Sequence, residues 1–226
     1  TKGFQEKDIS RFQRTTETLI REVRGKHTQV MESLENASEH AVKSLIWNYC
    51  DLIPRQIQLC NRLRPSFNET DGTRAHLGKL PGSVCKFANL SAARDQDDPD
   101  SHEDEFGSVI NHLYLILYES TMVDKGPGFK KEGPPVPVYD PDATKGESYG
   151  RIRIWLQNLR NRYFHDIDSW PPEQQERIRQ QVKQFFITAI SKPGPEKSTD
   201  YLRALLFILA DVVWYLDTVR ERLKNK

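Results

Sequence analysis

The chain has 226 residues, and 33 Lys and Arg against 32 Asp and Glu leave a net charge of only +1. Bulk charge therefore argues against a protein that coats long nucleic acid, and any such contact must rest on a local basic patch. The longest apolar stretches, such as 204–213, are about half of what crosses a bilayer, so no membrane association is expected. The three cysteines, Cys50, Cys60 and Cys85, are widely spaced. They form neither a disulfide framework nor a zinc knuckle, which points to a reducing, cytoplasmic setting.

The first elements read as helix. Ile9, Phe12, Leu19, Val23, Val30, Leu34, Ala37, Ala41 and Leu45 recur at steps built from three and four. That spacing lays one apolar stripe along an α-helix. A continuous helix over 7–47 is predicted, about 60 Å long, with Gly25 as its weak point. Pro54 should kink or break the chain, because proline lacks an amide hydrogen and clashes with the preceding turn. A further helical stretch is predicted from Gln56 to Leu63, closed by Pro65.

Residues 65–105 are rich in Gly, Ser, Asn, Asp and Pro and end in an acidic run, Asp95–Glu105. They are predicted to be loop, with one short ordered piece around Leu77–Leu90. Phe106 to Met122 follows as an apolar helix, hydrophobic on nearly every side and therefore central. Residues 124–145 contain five prolines and make a second long loop. Glu147 to His165 is the next helix. Pro171 and Pro172 open another, since proline is tolerated in a first turn, and it runs to Ser191. The last helix is capped by Ser198 or Thr199, with Asp200 in its first turn. No strand pattern survives. The expected fold is a single all-α domain over 1–226, a bundle of about five or six helices with two long loops.

Several kinds of chemistry are absent. There is no Gly-rich phosphate loop, no Gly-x-Gly-x-x-Gly, no His-Glu-x-x-His and no Cys-x-x-Cys. The acidic run lacks the spacing and glycine of a calcium loop, so neither metal nor cofactor is expected.

One segment is informative. Residues 151–166 read RIRIWLQNLRNRYFHD. On a helical wheel Ile152, Trp155, Leu156, Leu159 and Tyr163 make the core face, whereas Asn161 and His165 stack one turn apart on the opposite side. Arg160 lies on the flank. Between Ser148 and His165 there are four arginines, Arg151, Arg153, Arg160 and Arg162, and no acid. Arginine presents a planar fork of donors that suits phosphate. Histidine, with an ordinary pKa of about 6.5, takes and gives protons near neutrality. Together they suffice for cleavage of RNA without a metal: a base removes the 2′-hydroxyl proton, the oxygen attacks phosphorus, and a cation steadies the phosphoryl charge.

Arg160-Asn161-x-x-x-His165, followed on a helical bundle, resembles the signature of the HEPN superfamily (higher eukaryotes and prokaryotes nucleotide-binding). That signature is an arginine, four to six residues and a histidine, often with a polar residue after the arginine. The aromatic pair Tyr163–Phe164 and the position at a helix end strengthen the likeness. It implies a helical metal-independent endoribonuclease, acting as a toxin or phage-defence effector. Arg160 would contact the scissile phosphate, His165 would transfer the proton, and Asn161 would orient one of them. Arg162, Arg153 and Arg151 would touch the RNA backbone. The resemblance also implies a homodimer whose two motifs meet in a composite active site, with an antitoxin or sensor protein as a possible partner. Some two-gene HEPN toxins carry a tyrosine two residues after the histidine, which a partner enzyme modifies; here that position is Ile167. Two other classes stand beside this one. The long striped N-terminal helix suits a non-catalytic scaffold that binds a protein partner or nucleotide. A nucleic-acid-binding module without chemistry is disfavoured by the near-zero net charge.

Overall fold

A computed structural model of the chain describes residues 2–34, 36–63, 79–80, 82–83, 100–119 and 147–224. It is an all-α bundle, with six α-helices and no strand among the described residues. They are α1 (Lys2–Glu32), α2 (Glu39–Leu63), α3 (Asp100–Tyr114), α4 (Glu147–Phe164), α5 (Pro172–Ile190) and α6 (Ser198–Lys224). A π-helical turn, Leu115–Glu119, continues α3, and a 3-10 turn, Ile167–Ser169, follows α4. Among the described residues no helix is long and apolar enough to cross a membrane.

The N-terminal region departs from expectation. The single helix predicted over 7–47 is two helices, α1 and α2, separated at 33–38. The amides of Asn36 and Ala37 turn back to the Ser33 carbonyl, and Ser38 Oγ accepts from the Ala41 amide at 3.2 Å. Ser38 thus caps α2 in the manner serine favours. The apolar spacing passes through this turn unchanged, so periodicity alone conceals the break. Pro54 is the opposite case. It lies inside α2 without ending it. Leu52, Ile53, Ile57 and Cys60 around it are all buried, and packing on both sides outweighs the roughly 3 kcal/mol that an interior proline costs.

The loop predicted over 65–105 also ends earlier than expected. Asp100 to Glu105 belong to the first turns of α3, where carboxylates meet the positive end of the helix dipole. Helix α3 gives way to the π turn at Leu115 rather than running on as α-helix, and 120–122 lie outside the described residues. The loops expected at 65–105 and 124–145 also lie outside them, apart from 79–80, 82–83 and 100–105. The ordered piece expected at Leu77–Leu90 is described only at 79–80 and 82–83, which are helical, with Leu80 buried.

Helices α4, α5 and α6 follow the sequence closely. Pro172 opens α5, and Ser191 closes it in a left-handed conformation, φ 61° and ψ 22°, with its amide bonded to the Ile187 carbonyl. Asp200 in the first turn of α6 accepts from the amides of Glu196 and Lys197 and from Lys192 Nζ at 2.9 Å.

Side-chain pairs set the directions of the helices. His27 meets Tyr49, and Phe12 meets Arg55 and Arg62, so α1 and α2 form an antiparallel hairpin. Arg24 meets Asp217 and Glu17 meets Lys224, which makes α1 antiparallel to α6 as well. The other half is aromatic. Phe106 on α3 lies 5.6 Å from Tyr163, 5.4 Å from Tyr201 and 6.2 Å from Phe186, ring centre to ring centre. Trp155 on α4 packs on Phe185 and Phe207. Burying such side chains contributes about 2–3 kcal/mol each before entropy is counted. The cluster fixes α4 against three neighbours and leaves its far side outward.

Candidate functional site

Helix α4 carries the predicted residues. Ile152, Trp155, Leu156 and Leu159 are buried, and Tyr163 packs against them from a partly buried position. Burial pushes the Tyr163 phenol far above its ordinary range, so it packs rather than titrates. The helix is amphipathic in the sense predicted, and this orients everything else.

His165 sits at the C-terminal end of α4 and is exposed. Its amide donates to the Asn161 carbonyl at 3.3 Å, continuing the helical turn. Its ring faces Trp170, centres 6.3 Å apart and planes 31° from parallel. The turn that brings Trp170 there is well bonded. Asp166 Oδ1 accepts from the Asp168 amide, Ser169 Oγ donates to the Asp166 carbonyl, and the Trp170 amide donates to the Ile167 carbonyl. Gln175 Nε2 then donates to the Trp170 carbonyl at 2.8 Å. The apolar Ile167, at the position where the HEPN likeness lacks its tyrosine, is buried under this turn.

Arg160 is half-buried and held from α3. Its Nε donates to Asn111 Oδ1 at 2.9 Å, and its guanidinium carbon lies 4.7 Å above the ring centre of Tyr114. Asn161 is half-buried on the outward side. Arg162 is exposed, with its guanidinium 5.9 Å from the Tyr163 ring centre. The backbone of Arg151 and Arg153 belongs to α4, but their side chains lie outside the described residues. Five helical positions separate Arg160 from His165, a rise of roughly 7.5 Å with the two side chains about 140° apart. One copy of α4 therefore presents the pair on adjoining sides of a helix rather than converging on one point.

Asn111, Tyr114 and Trp170 were not among the residues that sequence reasoning selected. Asn111 had a legible signal, since it interrupts an apolar run on a helix expected to be central, and a buried amide there needs a partner. Tyr114 and Trp170 had none, because aromatic side chains on such helices and turns usually belong to the core. Among the described residues no three of histidine, cysteine, aspartate and glutamate gather as a metal site.

Comparison with protein-family models, with curated proteins and with solved structures returns no match for this chain. Its function is therefore argued from its own residues.

Proposed function

We propose that the chain is a metal-independent endoribonuclease of the HEPN type, with Arg160 and His165 at the reacting phosphate. The observation that carries the proposal is the pairing on one helix of an exposed imidazole and a guanidinium anchored by Asn111 and Tyr114. His165 takes the proton from a 2′-hydroxyl, and the oxygen attacks the adjacent phosphorus. The bond to the 5′-oxygen breaks, leaving a 2′,3′-cyclic phosphate, and an acid protonates the departing oxygen. Arg160 faces the charge that grows on the phosphoryl oxygens. Asn161, one turn from His165, orients the phosphate or the imidazole, while Arg162, Arg153 and Arg151 bind the RNA backbone.

A homodimer supplies what one helix does not, because the partner subunit's His165 then serves as the acid. The outward side of α4 supports such a contact. Ile154, Gln157, Asn158, Asn161, Phe164 and His165 share it on the helical wheel. Two of these are large and apolar, with Ile154 at 43% and Phe164 at 54% exposure. In a chain with 29% charged residues, the part of this face from Ile154 to His165 carries no Lys, Arg, Asp or Glu, which suits an isologous contact. The biological role proposed is that of a cytoplasmic toxin or phage-defence effector held in check by an antitoxin or sensor protein.

Incubation of purified protein with RNA in EDTA tests the assignment. Wild type should cleave, and His165→Ala and Arg160→Ala should each lose about 10²–10⁴-fold. Substrates lacking the attacking 2′-hydroxyl should survive. Equal cleavage by wild type and both variants overturns the assignment. The exposed Ile154 and Phe164 also favour a second reading, a non-catalytic scaffold that docks a protein partner. Intact RNA together with a stable hetero-complex retained by the double variant selects it.

A further inference from the structure

We propose that Asn111 is the positioning residue of this site, an amide on α3 that clamps the Arg160 guanidinium from behind while Tyr114 sets its plane; the inference rests on the nuclease reading above. Three observations carry it. Gly107, Asn111 and Tyr114 occupy one stripe of α3, spaced i, i+4 and i+7, and that stripe faces α4. At its first position the absence of a side chain lets the helices approach, since a Cβ on Gly107 would lie 2.9 Å from Tyr163 Cβ. One turn on, the short asparagine therefore reaches Arg160 Nε at 2.9 Å, and one turn further Tyr114 lies under the guanidinium.

The burial of Asn111 is the second observation. It is 8% exposed, on a helix whose positions Phe106, Val109, Ile110 and Leu113 are all fully buried. An amide is a poor filler at such a place, because its polar atoms must be desolvated, and its oxygen finds its partner in the arginine that the motif singles out. The third is the charge of the partner. Asparagine is neutral, so it fixes the guanidinium without cancelling it. A carboxylate would bond more strongly but would spend the positive charge that a phosphate needs. Bonded at Nε and covered on one face, the guanidinium has its plane set, and a set plane is what lets a guanidinium fork meet phosphate oxygens.

Two measurements test the clamp. The first is kinetic, with homodimer and RNA as above. Asn111→Leu keeps the branched shape, with larger methyl groups, and removes the acceptor. It should lower kcat about ten- to a hundredfold, as loss of orientation does, with KM within about twofold and the pH profile unchanged in shape. Asn111→Asp restores an acceptor at Arg160 Nε but spends the charge that the phosphate needs, so kcat should stay low. Circular dichroism confirms that each variant folds. The second needs no cleavage: in ¹⁵N-labelled protein the Arg160 Nε–Hε resonance, identified by its loss in Arg160→Lys, should exchange slowly with water and should exchange faster in Asn111→Leu. Full activity in Asn111→Leu, or an Hε signal indifferent to residue 111, overturns the proposal. An inert wild type that keeps the Asn111-dependent Hε signal overturns the nuclease reading and supports the clamp.

Discussion

Replacing Gly107 with alanine tests the approach of α3 to α4 directly. The new methyl carbon would sit 2.9 Å from Tyr163 Cβ and 3.5 Å from the Tyr163 carbonyl oxygen. Carbon atoms settle at about 3.5–4.0 Å, so relief takes roughly 0.6–1 Å of separation. Tyr163 Cβ moves only with its own backbone, so the helices themselves must part. Overpacking of this kind costs about 1–3 kcal/mol. Alanine returns about 1 kcal/mol through better helix propensity, leaving a net loss of about 1 kcal/mol. Gly25 in α1 is the control, because a Cβ there meets nothing within 4 Å. Gly25→Ala should gain about 0.5–1 kcal/mol from propensity alone. In urea unfolding followed by helical circular dichroism, with a slope of about 2–3 kcal/mol per molar, the midpoint should fall by about 0.3–0.5 M for Gly107→Ala. It should rise by about 0.2–0.4 M for Gly25→Ala. A rise in both variants refutes the close packing of α3 on Tyr163, and with it the reach of Asn111 to Arg160.

Gln56 is fully buried, and among the described residues neither its Oε1 nor its Nε2 has a hydrogen-bond partner. Gln56→Leu should therefore raise the urea midpoint, by about 1–2 kcal/mol of stability, because an unsatisfied buried amide is worse than an apolar group of its shape. A lower midpoint would mean that the amide is satisfied in solution. Burial holds the His27 imidazole, with its Nδ1 2.7 Å from Tyr49 Oη, below the ordinary histidine range. The unfolded chain then takes up a proton at about pH 6.5 that the folded chain refuses. Stability conferred by neutral His27 is thus fully present above that pH and is lost as pH falls below it. Urea midpoints measured from pH 7.5 to 5.5 should fall more steeply for wild type than for His27→Gln, and parallel slopes would refute a buried neutral imidazole.

The sequence by itself determined the all-helical class, the three C-terminal helices and the face of α4. Helix signals are local: Pro172 and Ser198 mark two starts, and the apolar stripe from Ile152 to Leu159 turns Asn161 and His165 outward whatever the neighbours are. Tertiary structure decided where local signals compete or stop. The stripe runs unchanged through the turn that Ser38 caps, where one helix becomes two, and Pro54 persists in a helix because α1 and α6 bury its surroundings. The partner of Arg160 lies 49 residues away, and no periodicity encodes which buried amide meets which guanidinium. That meeting depends on how closely two helices pack, and here a glycine sets the distance.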